Sequence, residues 1–169
     1  MADGYQDHIS LKVLKLLEIK LSHKILSFYD GKIDMKAISK YDLPLLFIEL
    51  LSSETGIEGT GTVRDAERLN FQVTVVIDRR DAYDNKLGKG EQEFNSMQKD
   101  LQNLVEERDS TNAIQTNTVK GVIRDNIQLD SEVLYTENVK AEYSDYINEA
   151  EFPLAKAVVQ FSAYLRTTR

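Results

Sequence analysis

Residues 69–78, LNFQVTVVID, alternate between apolar and polar side chains and decide the class of fold. In an extended strand, successive side chains point to opposite faces of a sheet. The apolar set is Leu69, Phe71, Val73, Val75 and Ile77, and the polar set is Asn70, Gln72, Thr74 and Asp78. The stretch therefore predicts a half-buried strand, with one face on a core and the other face in water.

Upstream, residues 43–51, LPLLFIELL, are almost entirely apolar. Such a run is typical of a strand covered on both faces, and a buried helix is the alternative because periodicity does not separate the two. Between these strands, residues 52–65 read SSETGIEGTGTVRD, and the glycines predict a long hairpin loop. As a candidate contact with a neighbouring subunit or partner, this loop contributes Gly56, Gly59, Gly61 and Arg64.

Two further segments downstream predict strands. Val139, Ala141 and Tyr143 alternate with charged neighbours. In AKAVVQFSAYLR, residues 155–166, the expected buried face comprises Ala157, Val159, Phe161, Ala163 and Leu165. With the two upstream strands, these segments make two hairpin-like pairs.

Three segments show the spacing of amphipathic helices. Leu14, Leu17 and Leu21 recur at intervals of three and four residues, which places them on one buried face of the first helix. In the third and shortest helix, Val122 and Ile123 are expected to point inward. The predicted spans are Asp7 to Phe28, Gln92 to Arg108 and Val119 to Ile127, with one further helical turn at residues 34–38.

This order of elements predicts an α+β fold. We expect an antiparallel sheet of about four strands, with a mixed sheet as the alternative, and two long helices and one short helix packed on one face. The 169 residues are expected to form a single domain, with flexible ends at residues 1–6 and 167–169.

The residue types that usually bind nucleotides or metals, or act in catalysis, do not occur here in the spacing that such sites require. A Walker loop ends in Gly-Lys-Ser/Thr and opens a helix, whereas Val63-Arg64 stands here and a strand follows. His8 and His23 lie four turns apart on the predicted first helix, so they cannot share a metal ion. Cysteine is absent, which excludes disulfides and thiolate metal sites. The sequence predicts no enzyme, no cofactor and no metal.

Charge excludes another class of function. The formal net charge is -7, and acidic residues concentrate between Asp130 and Glu151. Because nucleic-acid affinity comes mainly from Lys and Arg at phosphates, sequence-specific binding of DNA or RNA is not expected. The first ten residues lack the pattern of a signal peptide, and charged residues interrupt the apolar runs, so we expect a soluble protein that makes no membrane contact.

The chain as a whole resembles the tail terminator family of long-tailed bacteriophages, the lambda-like ring proteins that stop growth of the tail tube. The likeness lies in organisation across roughly residues 7–166. An apolar first helix, ISLKVLKLLEIKLSHKI, leads to the proline-containing strand LPLLFIEL, and the strand NFQVTVVID precedes a helix through EFNSMQKDLQNLVEE. The chain closes with FPLAKAVVQFSAYLR.

This resemblance implies a structural protein of the phage tail, assembled in the host cytoplasm as a homo-hexameric ring. Its partners would be the major tail tube protein and the head completion or connector protein, with DNA passing through the hole without specific binding. An acidic lumen would suit that passage, since acidic walls offer phosphates no counter-charge. The candidate lumen acids are Glu132, Glu137, Glu142 and Asp145.

Two alternatives stay open. One is another head- or tail-completion protein of the phage neck, with a similar architecture and equally without chemistry. The other is a small-molecule-binding or hydrolytic α+β domain whose polar site is assembled from residues far apart in the chain.

Overall fold

In the described part of the chain, five strands form one mixed sheet. They are β1 (Ser27–Asp30), β2 (Leu45–Ile57), β3 (Arg64–Asp78), β4 (Tyr135–Tyr146) and β5 (Leu154–Thr168). Their order across the sheet is β1-β2-β3-β5-β4; β1 pairs with β2 in parallel and the other neighbours pair antiparallel. The computed structural model describes residues 5–57, 64–78, 101–125, 135–146 and 154–168. The α+β class is confirmed, with one strand more than the sequence predicts.

Among the residues that the structure describes, three α-helical segments cover one face of the sheet, called here the helix face. They are α1 (Tyr5–Leu21), α2 (residues 101–106) and α3 (Val119–Asp125). Their buried side chains join one core with alternate residues of the strands, as the spacing predicts. The part of the predicted second helix between residues 92 and 100 lies outside the described residues.

The core centres on β3 and β5. Phe71 and Phe161 face each other across the two strands and stack with ring centroids 5.5 Å apart. The predicted inward faces of both strands are buried except at Ile77, which is partly buried, and this confirms the alternation in the sequence. From the helices, the core receives Ile9, Val13, Leu14, Leu17, Leu21, Leu101, Val105, Val119, Val122 and Ile123.

The first helix is shorter than predicted. It ends at Leu21, whose carbonyl accepts hydrogen bonds from the backbone N–H groups of Lys24 and Ile25. The chain then turns and forms the edge strand β1, so the expected continuation to Phe28 is wrong. His23 lies beyond the helix and is exposed. Gly31 follows β1 with φ 102°, a conformation that glycine adopts without the strain of a Cβ atom.

The connector between β1 and β2 covers part of the opposite face of the sheet. Ile33, Ile38 and Leu43 pack there on a second small core made by Leu45, Phe47, Val76 and Leu154. The predicted turn at 34–38 is confirmed as a 3-10 helix, Met35–Ala37, capped by the side chain of Asp34. Val76 is buried in this small core, and Thr74 next to it on the same face is buried as well. Farther along the same face of β3, Asn70 and Gln72 are only partly buried.

Strand pairing continues into the segment predicted as a long loop. Ile57 pairs with Asp65 and Gly56 pairs with Ala66, so only residues 58–63 lie between the two strands. The sequence 52–65 is therefore mostly strand. Polar side chains on both faces hide this from a periodicity argument, because backbone pairing needs no apolar face.

Candidate interaction surface

Beyond the connector, the sheet face opposite the helices carries rows of polar side chains and is called here the ladder face. The first row crosses three strands. Gln72 Nε2 donates to Glu49 Oε1 at 3.0 Å, and Gln160 Nε2 donates to Gln72 Oε1 at 3.1 Å. Gln72 thus uses its amide nitrogen toward one neighbour and its amide oxygen toward the other, which fixes the orientation of its side chain.

A second row runs parallel to the first toward the β2–β3 hairpin. Asn70 Nδ2 donates to Ser52 Oγ at 2.8 Å, and Ser162 Oγ donates to Asn70 Oδ1 at 2.6 Å. The Nε and Nη2 groups of Arg68 donate to Ser162 Oγ, each at 3.3 Å. The Arg68 guanidinium also lies 5.7 Å from the ring centroid of Tyr164, within the range of a cation–π contact.

A shallow groove of about 250 Å³ lies on this face beside the second row. Its polar lining includes Arg68, Asn70, Lys140, Gln160 and Ser162. Lys140 forms an exposed ion pair with Glu142 along the edge strand β4. Such a surface, flat and rich in amides and charges, is typical of the polar part of a protein interface rather than of a buried ligand pocket.

Near the connector, Lys156 is partly buried on the ladder face. Burial lowers the pKa of Lys156, the nearby positive charge of Lys32 lowers it further, and Glu49 opposes both effects. The net effect is a lowered pKa for Lys156, which lies at the border between the apolar and polar parts of the ladder face.

A separate hollow of about 700 Å³ lies between α3, β4 and the segment after α2. Three cationic side chains line it, those of Arg108, Lys120 and Arg124, and one acid, Asp125. Arg108 Nη1 donates to the backbone carbonyl of Asn112 at 3.0 Å. The hollow is thus a locally basic site in an acidic chain.

Lys120 also belongs to a half-buried chain of hydrogen bonds behind the hollow. Its Nζ donates to Glu106 Oε2 at 3.1 Å, and the Tyr143 hydroxyl donates to Glu106 Oε1 at 2.8 Å. Burial raises the pKa of Glu106, but the hydrogen bonds from Tyr143 and Lys120 outweigh it and the net shift is downward. Burial and the Glu106 carboxylate raise the pKa of Tyr143. The Glu106 carboxylate on α2 thus accepts from Lys120 on α3 and from Tyr143 on β4, and these hydrogen bonds link the three elements.

The contact residues predicted from the sequence fall partly within strands. Gly56 lies within β2 and Arg64 is the first residue of β3, while Gly59 and Gly61 lie outside the described residues. Of the candidate lumen acids, Glu142 is exposed on β4, and Glu137 and Asp145 belong to the same strand. By register, Glu137 pairs with Ser162 and Asp145 with Ala155. Glu132 lies outside the described residues.

Sequence reasoning missed the ladder face as a site. The alternating residues Asn70, Gln72 and Thr74 mark a polar side of one strand, but the hydrogen-bond partners on this face lie 18 to 94 residues apart. Which strands lie side by side decides those pairs, and a single sequence does not contain that information. The signal that was present is the repetition of Gln, Asn and Ser on alternate positions of both β3 and β5.

Within the described part of the chain, no group of three or more His, Asp or Glu side chains is placed to hold a metal ion. In the same residues, no helix has the length and apolarity needed to cross a membrane. The described surface therefore offers polar contacts, a basic hollow and open strand edges. No protein-family model matches the chain, and comparison with curated proteins gives no match either.

Proposed function

We propose that this chain is the subunit of a phage tail terminator, a ring that caps the tail tube and ends its polymerisation. The ring would then present the surface on which the head connector docks, with DNA passing through its centre. The support from the sequence is the order of elements across residues 7–166. The support from the structure is that both edges of the sheet have unpaired stretches among the described residues.

Both edges of the sheet have unpaired stretches among the described residues. β1 covers β2 only from Leu45 to Ile48, so residues 49–57 pair with β3 alone. At the other end, β4 pairs with β5 and with no further described strand. Exposed edges of this length present rows of free N–H and C=O groups, which proteins usually cover or pair. Assembly with further copies is the simplest cover, and this observation carries the proposal.

The first expected result is a closed homo-oligomer, most simply a hexamer. Light scattering of the purified protein should give several times the mass of one chain, 19.3 kDa, and negative-stain microscopy should show rings. Each contact should bury on the order of 1,200 Å² or more, the size of a specific interface. A monomer at all concentrations up to about 100 µM, both alone and with short tail tubes of the major tube protein, would contradict the ring.

Terminator activity itself is tested by tube assembly. Adding the protein to polymerising major tail tube protein should shorten the tubes and leave a ring at one end. Tubes of unchanged length, with the ring protein absent from their ends, would instead favour a different neck protein.

The second expected result concerns DNA. A chain with a formal net charge of -7 should not hold duplex DNA, because affinity for phosphates requires Lys and Arg that release counterions. We expect no retardation of duplex DNA in a gel at 150 mM salt. Retardation that weakens as salt rises would contradict free passage of DNA and would favour a nucleic-acid-binding role.

One observation favours a second candidate function, a small-molecule-binding domain. The hollow lined by Arg108, Lys120 and Arg124 has the size and charge to take a small anion. Such a domain would remain monomeric or dimeric, and its melting temperature would rise with ligand. A thermal-shift screen of phosphorylated and carboxylated metabolites therefore separates it from a ring protein.

A further inference from the structure

We propose that neighbouring copies join by antiparallel pairing of the open edge of β2, residues 49–57, with the outer edge of β4 of the next copy. The pairing rests on the proposed ring and specifies which strands close it. It would extend the sheet of one subunit directly into the sheet of its neighbour.

Strand directions within one subunit permit this joint. β2, β3, β5 and β4 alternate in direction, so β2 and β4 run antiparallel to each other at opposite ends of the sheet. Copies related by rotation about a ring axis keep the same strand inclination, and β4 of one copy therefore meets β2 of the next as an antiparallel partner. The two edges differ, so the contact is head-to-tail, the type that generates rings.

Charge selects the register. Ser52 and Glu54 of β2 pair with Asn70 and Arg68 and so belong to the ladder face, as Lys140 does through its partner Gln160. Placing the neighbour's Lys140 opposite Glu54 also places its Glu142 opposite Ser52. All four side chains are exposed in the subunit. A shift by two residues would put Glu142 opposite Glu54, and like charges directly opposite destabilise a sheet.

The geometry of a closed ring agrees with this register. Within one subunit, Lys140 lies level with Glu49 through Gln160 and Gln72. Raising the neighbour's Lys140 to the level of Glu54 offsets the copies by roughly 14–17 Å along the strands, at about 3.4 Å per residue. Four strands spaced by about 4.8 Å span roughly 19 Å. The corresponding strand tilt is roughly 36–42°, within the 35–45° typical of closed sheets.

The register brings the neighbour's strand up to the end of β1. Asp30, the last residue of β1, pairs with Ile48. In the proposed register Tyr146, the last residue of β4, reaches the level of Ile48 or Phe47, so the last one or two residues of the incoming strand have to leave the edge of β2 where β1 begins to cover it. The extent of β1 thus acts as a stop that sets how far the neighbour's strand can slide.

The absence of cysteine makes a direct test available. The double variant Glu54→Cys/Lys140→Cys should form a ladder of disulfide-linked oligomers under mild oxidation, and the top band should match the ring mass from light scattering. Ser52→Cys/Glu142→Cys tests the same register two residues along and should give the same ladder. Each single variant should stay monomeric on a non-reducing gel, because a head-to-tail joint brings the two different positions together.

The matched control is Glu54→Cys/Ser144→Cys, four residues out of register. Its Cα atoms would lie roughly 14 Å apart, beyond the roughly 7 Å limit for a disulfide, so no ladder is expected. Rings in light scattering without a ladder from either in-register pair would overturn the strand pairing and leave the ring intact. A dimer from Glu54→Cys alone would show β2 meeting β2 and overturn the head-to-tail joint. Monomers with no cross-links, both alone and with short tail tubes, would overturn the pairing and the ring together.

Discussion

Replacing Leu17 with Asp is expected to unfold the protein. Leu17 lies on α1 with its side chain 0% exposed, in the core shared with the sheet. An unpaired carboxylate at this position loses its hydration and finds no partner, which costs several kcal/mol. A domain of this size is stable by only about 5–15 kcal/mol, so one such change removes a large part of the total. Far-UV circular dichroism should show loss of the cooperative thermal transition, or a melting temperature lower by roughly 10 °C or more.

Ile19 provides the matched control on the same helix. Its side chain is 74% exposed, two residues from Leu17. Ile19→Asp introduces the same charge in the same element but leaves it hydrated, and surface changes of this kind usually stay within about 0.5 kcal/mol. If Leu17→Asp and Ile19→Asp had the same melting temperature, the assignment of the buried face of α1 would be wrong. Leu17→Ala should fall between them, with a loss of about 2–5 kcal/mol.

The same helix shows how far sequence reasoning reaches. Leu14, Leu17 and Leu21 are buried as their spacing predicts, because a three- and four-residue rhythm over several turns is typical of a helix with one buried face. Ile25 and Phe28 continue that rhythm by coincidence. Phe28 lies in β1, where its partner is Leu46 of β2. A four-residue edge strand has too little pattern of its own, and only its parallel pairing with β2 makes it a strand.

The ends of β2 and β3 illustrate a second limit. Alternation located β3 from Leu69 onward, where one face enters the core. It could not locate Arg64 to Arg68, since the sequence there does not alternate between apolar and polar residues and the strand is defined by its backbone pairing with β2 and β5. The polar contacts of the ladder face were missed for the same reason. Their residue types are visible in the sequence, whereas the strand order that brings them together is a property of the whole sheet.

The basic hollow depends on a close contact between α3 and the turn that precedes it, and no pattern in the sequence predicts this contact. Thr118 caps α3, accepting from the backbone N–H of Gly121 at 3.1 Å and donating to the carbonyl of Gln115 at 2.8 Å. The backbone N–H of Gln115 in turn donates to the carbonyl of Glu107, which closes the short turn that carries Arg108. The positions of Arg108 and Lys120 relative to each other therefore follow from the packing of α3 on this turn.

Gly121→Ala is accordingly expected to destabilise the protein. A Cβ atom at this position would lie 1.9 Å from the Gln115 carbonyl oxygen, a backbone atom that cannot rotate away. In an open helix the same change would stabilise by up to about 1 kcal/mol. Here overpacking should cost about 1–3 kcal/mol, equivalent to a melting temperature lower by roughly 2–12 °C. The control Arg124→Ala removes an exposed side chain from the same helix and should change stability by less than about 0.5 kcal/mol.

Hydrogen exchange locates the effect of Gly121→Ala. If the close approach holds the turn, the amide of Gln115 should exchange faster in this variant, because the displaced carbonyl takes its residue away from Glu107. Amides in the centre of β3 should keep their order of protection, since β3 pairs with β2 and β5 and not with this turn. A Gly121→Ala variant that melts at or above the temperature of the parent, with unchanged exchange at Gln115, would show that α3 can move off the turn at no cost. The arrangement of cations around the hollow would then be one of several, and the case for a small anion binding there would weaken with it.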